Sequence, residues 1–179
     1  FSGTHGLANG LDAVLDAAKV LKARGRTDIK LVLVGDGKLK PALKERARDE
    51  ELTAVVFLDS VPKAKLAGLL ASADIGMQIL ANVPAFYYGT SPNKFFDYLA
   101  ASKPVLTNYP GWVADLITEA DCGFAVNPEN ASAFVDALES AAADRNKLRL
   151  MGENAGKLAR SDFNRNSLAK DWVTWVTFQ

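Results

Sequence analysis

Ile29-Lys30-Leu31-Val32-Leu33-Val34-Gly35-Asp36-Gly37 is the stretch on which the fold turns. Its aliphatic run has the length of one strand, and a run apolar on both alternating faces suits a strand covered by helices on both sides of a sheet. It stops at Gly35-Asp36-Gly37, and a helical pattern follows from about Leu39 to Glu51, with Leu39, Leu43 and Ala47 on one face. Upstream, Leu11, Val14, Leu15, Ala18 and Leu21 recur at helical spacing as far as Gly25. Downstream the alternation repeats. Val55–Leu58, Ile75–Leu80, Val105–Thr107 and Phe124–Val126 read as strands, separated by helices from Pro62 to Ser72, Ser91 to Ala101 and Trp112 to Ala120. Further helices begin at Ala131, Asn146 and Arg165, while Ala81–Thr90, with Pro84 and Gly89, reads as a loop. Phe1-Ser2-Gly3-Thr4 reads as a strand end entering a turn, so the chain is expected to begin in mid-architecture. About six strands alternating with helices predict one α/β domain over residues 1–179, a Rossmann-like, doubly wound parallel sheet with helices on both faces. In such sheets ligands lie outside the carboxyl ends of the strands, which directs attention to the turns 3–10, 35–38, 59–62, 81–93 and 107–112.

Composition narrows the function classes. Lys plus Arg and Asp plus Glu number 21 each, so the formal charge is zero and no basic footprint for nucleic acid is expected. Hydrophobic residues at 49% and charged residues at 23% are the mix of an ordinary globular protein. One cysteine, Cys122, precludes an intrachain disulfide and fits a cytoplasmic setting. With one cysteine and one histidine, a zinc site rich in nitrogen and sulfur ligands is out of reach. The longest apolar runs have strand length, so no transmembrane helix is expected. Cys122 reads as inert core, and Trp172 and Trp175 as residues that pack apolar surface or meet another domain.

Three segments have chemistry. Gly3-Thr4-His5-Gly6-Leu7-Ala8-Asn9-Gly10 is a glycine-rich turn between a strand end and a helix, where backbone can approach a phosphate closely. It matches neither the dinucleotide fingerprint nor the Walker A pattern, so a purely geometric turn stands beside the phosphate reading. His5, the sole histidine, is either a structural donor or a hydrogen-bond partner for a phosphate or sugar oxygen. Asp36-Gly37 similarly is either a plain turn or a loop that presents amides and a carboxylate to a ligand. Ser91-Pro92-Asn93-Lys94 reads as a helix start, with Ser91 as the cap and Pro92 in the first helical position. Lys94 and Asp97 are three apart and share a face. A cation in the first turn opposes the helix dipole, and an anionic ligand would account for it, with Asp97 free to hold two neighbouring hydroxyls. The competing reading is a surface ion pair worth a few tenths of a kcal/mol.

The run from Ser91 through Asp97-Tyr98-Leu99-Ala100-Ala101-Ser102-Lys103-Pro104-Val105 resembles the hallmark of the family 4 (group 1) retaining glycosyltransferases of GT-B fold. Leu33-Val34-Gly35-Asp36-Gly37, Val56 through Pro62 and Leu70 through Ile75 occur in the order that family shows, so the resemblance spans nearly the whole chain. It is nearest to bacterial transferases that build lipopolysaccharide O-antigen or capsule. The resemblance implies a donor-binding C-terminal domain for a nucleoside-diphosphate sugar, a UDP-sugar above all, with the N-terminal acceptor domain lying outside this chain. It also implies the roles. Asp97 would hold the ribose, Gly3, Thr4, His5, Gly6, Asn9, Ser91, Asn93 and Lys94 would surround the diphosphate, and Ser60, Val61 and Pro62, with Asp36-Gly37 nearby, would meet the base. Lys94 would stabilise the departing nucleoside diphosphate electrostatically, and no metal or other cofactor is required. Partners implied are the nucleotide sugar and a lipid-linked or polysaccharide acceptor at the inner face of the cytoplasmic membrane. A non-catalytic nucleotide module and a GT-B nucleotide-sugar epimerase are the alternatives. Two departures stand out: the family's sugar-contacting Glu is replaced by Gly89, and the basic residues common near its first turn are replaced by Thr4 or His5 and Asn9.

Overall fold

Leu31 and Leu33 of strand β1 (Leu31–Val34) are buried on one face, and Val34 is buried on the other. The computed structural model describes residues 1–177. β1 pairs in parallel with β2 (Val55–Leu58), Leu31 opposite Val55 and Val34 opposite Leu58. A second parallel set runs β3 (Gly76–Gln78), β4 (Val105–Thr107), β5 (Gly123–Ala125), with Gly76 opposite Val105 and Val105 opposite Gly123.

The opening residues lie between the two sets. Ser2 makes a parallel bridge to Val34, with Val34 N donating to Phe1 O and Gly3 N to Val34 O, both at 2.9 Å. On its other side the Tyr98 hydroxyl accepts from Ser2 N at 3.0 Å and lies 3.3 Å from Met77 O, to which it donates. A phenol thus spans the gap where a strand ladder would otherwise run. Its ring explains why β3 starts with glycine: a Cβ at Gly76 would sit 2.3 Å from Tyr98 Cγ. Among the described residues five strands and this bridge therefore stand where about six strands are expected, and the parallel α/β architecture holds.

Helices cover both faces. α1 (Asp12–Ala23) buries Val14, Leu15, Ala17, Ala18 and Leu21, the face its periodicity predicts, and packs beside α7 (Ala131–Ala143). With α2 (Lys40–Asp49) they close one core around Leu31, Leu33 and Leu106. The other core gathers α5 (Asn93–Ala100), α6 (Trp112–Glu119) and α8 (Arg145–Ser161) around Phe95, Tyr98, Tyr109 and Ile117. Asn130 and Asp144 cap α7 and α8 by accepting from Ala133 N and Lys147 N, each at 2.8 Å. Cys122 is fully buried in the second core, and burial pushes its thiol up to about 11, in keeping with an inert core residue.

Three local expectations are corrected. The loop expected over Ala81–Thr90 contains a short helix, α4 (Pro84–Gly89), whose first residue is the proline, where a missing N–H costs nothing. α5 starts at Asn93 with Pro92 in the cap position, so Ser91 lies outside it and caps nothing. α9 (Arg165–Thr177) buries no residue, and Trp172 and Trp175 are each 63% exposed, so neither belongs to the apolar cores of this chain. α3 (Lys63–Ser72) begins after Pro62 and buries only Leu70.

Candidate functional site

A cleft of about 610 Å³ opens at the carboxyl ends of β1 and β2, next to the start of α5. Its floor comes from two strand-end turns pressed backbone to backbone. Gly35 has φ +141, and a Cβ there would sit 1.9 Å from Gly3 O, so only glycine permits the approach. Beyond that point His5 N donates to Asp36 O at 2.8 Å and Leu39 N to His5 O at 3.0 Å, which zips the first turn to the second.

α5 supplies the charge. Its apolar residues Phe95, Tyr98 and Leu99 face the core, which turns Lys94 and Asp97 toward the cleft. Lys94 Nζ donates to Asn9 Oδ1 at 2.7 Å, and Asn9 Nδ2 donates to Thr4 O, also at 2.7 Å. The ammonium lies 4.6 Å from the Phe1 ring centroid and its chain passes over Gly3, where a Cβ would come within 3.1 Å of Lys94 Cε. The surface ion pair with Asp97 is not formed: neither residue takes part in a salt bridge among the described residues. Burial alone lowers the Lys94 pKa to about 8. A half-buried cation facing one neutral amide is short of an anion. Pro92 provides no side-chain cap, so the first amides of α5 open toward the same space.

The cleft brings together Gly3, Thr4 and Asn9 from the first turn, Asp36 from the second, Ser60 and Val61 after β2, and Asn93, Lys94 and Asp97 of α5. Asp36 Oδ1 accepts from its own Gly37 N at 2.7 Å, an arrangement that stabilises the turn. Gly37 lines a neighbouring recess of mixed charge, with Lys40, Lys44 and Arg48 beside Asp36, Glu45 and Asp59. Gly6, Pro62 and Ser91 do not line the cleft. His5 is placed differently from a phosphate ligand. Its ring is fully buried between Phe1 and Phe57, at centroid distances of 6.1 and 6.2 Å, and neither ring nitrogen has a partner. Burial, then the nearby Lys40 charge, lowers its pKa and favours the neutral ring. The cleft also includes Ser2, Val34, Gly35, Leu66 and Pro92, none of them among the residues expected to bind the donor. Val34 and Leu66 join Val61 as apolar residues of the cleft wall. Gly89, in α4, faces open space.

The chain matches the family model described as Glycosyl transferases group 1 over residues 1–158. No curated protein sequence matches it. Among solved structures it is similar to HepE from Anabaena in complex with UDP, with TM-score 0.84 and 16% identity, over 99% of this chain and 48% of that one. It is similar to WaaG, a glycosyltransferase involved in lipopolysaccharide biosynthesis, with TM-score 0.72 and 21% identity, over 89% of this chain and 41% of that one. The C-terminal domain of LpcC from Francisella tularensis matches with TM-score 0.73 and 17% identity, over 91% of this chain and 84% of that one. This chain spans less than half the length of WaaG and HepE. The shared fold is the Rossmann-like half of a GT-B enzyme, and the chain belongs to the group 1 glycosyltransferases.

Proposed function

We propose that this chain is the donor-binding, C-terminal half of a retaining glycosyltransferase and that its cleft takes a nucleoside-diphosphate sugar, a UDP-sugar in particular. The observation that carries the reading is Lys94, a cation buried without a counter-ion at the mouth of a helix and beside a glycine turn. A diphosphate supplies the missing charge, and the same contacts stabilise it as it leaves with the bond to the sugar broken. Asp97, on the same wall, receives the ribose hydroxyls, and Ser60, Val61, Val34 and Leu66 meet the base. HepE was crystallised with UDP and with UDP-glucose, which supports a uridine donor. Lysine and helix amides provide the positive charge, so no metal is needed. Among the described residues no group of three or more His, Cys, Asp or Glu is placed to hold one.

The acceptor side belongs to a companion N-terminal domain, and α9 offers a surface for it, with Leu168, Trp172, Val173, Trp175 and Val176 exposed on a helix that buries no residue. The acceptor is then a lipid-linked or polysaccharide glycan at the cytoplasmic face of the membrane, a reading that the similarity to WaaG supports. No described helix is long and apolar enough to cross a membrane. An epimerase, which needs acid and base groups at the sugar, fits poorly with a histidine sealed between two phenyl rings. A non-catalytic nucleotide module draws support from Gly89, which provides no side chain to a donor sugar.

Isothermal titration of the chain and of Lys94→Ala and Asp97→Ala with UDP, GDP and ADP tests the assignment. Wild type is expected to prefer UDP, to lose affinity in both variants and to show no sugar transfer alone. Variants that bind like wild type would remove both residues from the site. Fusion to the companion domain separates enzyme from module, because a module stays silent toward UDP-sugar turnover.

A further inference from the structure

Lys40 is a lysine that motif reading did not select, and it is only 8% exposed. Its ammonium reaches three acceptors: Gly35 O at 2.8 Å, Leu58 O at 3.1 Å and Asp59 Oδ1 at 2.8 Å. Those acceptors are the first carbonyl after β1, the last carbonyl of β2 and the first side chain after β2. Three donors meet three acceptors, so this ammonium has nothing left to offer a ligand. Its value lies in what it ties down. Gly35 and the two residues after Asp59, Ser60 and Val61, are cleft wall. Asp59, Ser60 and Val61 form no backbone hydrogen bond outside the strands and helices, among the described residues. β2 is an edge strand with Val56 and Leu58 exposed, and α3 begins without a side-chain cap. Among the described residues the Lys40–Asp59 contact is therefore the one side-chain hydrogen bond holding a loop that otherwise hangs between a short strand and a sparsely packed helix.

We propose that Lys40 is a positioning residue that fixes the 59–61 loop against β1 and thereby sets the affinity of the cleft for the nucleotide base, acting through Asp59 rather than touching the ligand. The inference rests on the donor-site reading above for the identity of the wall. It makes the base end of the cleft separable from the diphosphate end, because Lys94 and Asn9 share no contact with Lys40.

Titrations of the 179-residue chain with UDP, ADP and inorganic pyrophosphate, repeated for Asp59→Ala, Asp59→Asn and Lys40→Met, test this. The Asp59 side chain is 99% exposed, so its removal opens no cavity and leaves the melting temperature within about 2 °C. Asp59→Ala is expected to weaken UDP about tenfold and to reduce the preference for UDP over ADP, while pyrophosphate stays within about twofold. Asp59→Asn, which keeps an acceptor, is expected to recover part of the loss, and Lys40→Met to match or exceed it. A purely structural lysine would lower stability and leave the ratio of UDP to ADP unchanged. If the wild type prefers UDP and Asp59→Ala keeps that preference and affinity, the positioning role is overturned while the donor site stands. If the wild type binds neither UDP nor pyrophosphate, the donor reading falls and this assignment falls with it.

Discussion

Replacing Lys94 by methionine should move binding and stability in opposite directions. Methionine keeps the length of the stem over Gly3 and removes the ammonium that Asn9 receives at 2.7 Å. Loss of one charge-assisted contact to a diphosphate is worth about 1.5–3 kcal/mol, so UDP-glucose affinity should fall about 10- to 150-fold. Without ligand the same ammonium is a burden. Its pKa drops from 10.5 to about 8 through burial, equivalent to about 3 kcal/mol held against the charged form. Screening by the open cleft reduces what deletion returns to about 1–2 kcal/mol. For a domain of this size that is a rise of about 2–8 °C in melting temperature. Paired calorimetric titrations and thermal melts on wild type and Lys94→Met measure both quantities on the same samples. A variant that melts lower and binds UDP-glucose like wild type would refute the reasoning, since it would make Lys94 an internal strut.

Because burial lowers the Lys94 pKa, UDP-glucose affinity should be level below about pH 8 and decline above it, while Lys94→Met shows no such decline; titrations from pH 6.5 to 9.5 check this. The unliganded fold bears the full penalty below about pH 8, where Lys94 is charged in both states, and sheds it between about 8 and 10.5, so this group makes stability rise across that window. Gly35→Ala puts a Cβ 1.9 Å from Gly3 O at φ +141, which should cost about 2–5 kcal/mol and abolish nucleotide binding by parting the two turns; urea melts with a loss under about 1 kcal/mol would contradict that close approach. Asn108 returns both backbone groups of Leu80, accepting from its N–H at 2.9 Å and donating to its carbonyl at 3.0 Å, so Asn108→Ala should destabilise by about 2–4 kcal/mol in the same melts. Gly89→Glu enters open space and should leave stability within about 0.5 kcal/mol; a gain in UDP-glucose affinity with none for UDP would show that this position reaches the sugar.

Where neighbours in sequence decide a structure, the sequence is readable. The face of α1 and the buried leucines of β1 follow from periodicity and from a run too apolar for a solvent-facing strand. Two parts of the cleft wall, the 3–9 turn and the Lys94–Asp97 pair, follow from glycine spacing and from a cation placed against a helix dipole. What escapes notice is settled by partners far apart. α4 has six residues, too few for a helical period to appear, and Pro84 at its first position was the available signal. Nothing near His5 announces that Phe57 covers it, so sequence leaves its imidazole open between a structural donor and a ligand partner, and it folds as core with neither nitrogen bonded. The exposure of Trp172 and Trp175 is equally silent in sequence, because an apolar residue on a helix reads as core whether or not another element covers it.

Lys40 and Lys94 show why burial alone does not mark a functional lysine. Lys94 lines the cleft, Lys40 lies against its Gly35 wall, and both lose solvent on folding. Lys40 meets two carbonyls and a carboxylate, which together satisfy its three donors and neutralise its charge. Such a group stabilises what it holds and gains nothing from a ligand. Lys94 meets one neutral amide oxygen and the face of a phenyl ring, which leaves donors unused and the charge unbalanced. Its deficit persists in the unliganded fold and ends only when an anion enters, so the free energy withheld from folding becomes available for binding. The same comparison predicts different responses to added phosphate or pyrophosphate. Either anion should raise the melting temperature of the wild type and of Lys40→Met, and leave that of Lys94→Met unmoved. Equal stabilisation of all three proteins would mean that the anion binds elsewhere, and that the unbalanced charge of Lys94 has another cause.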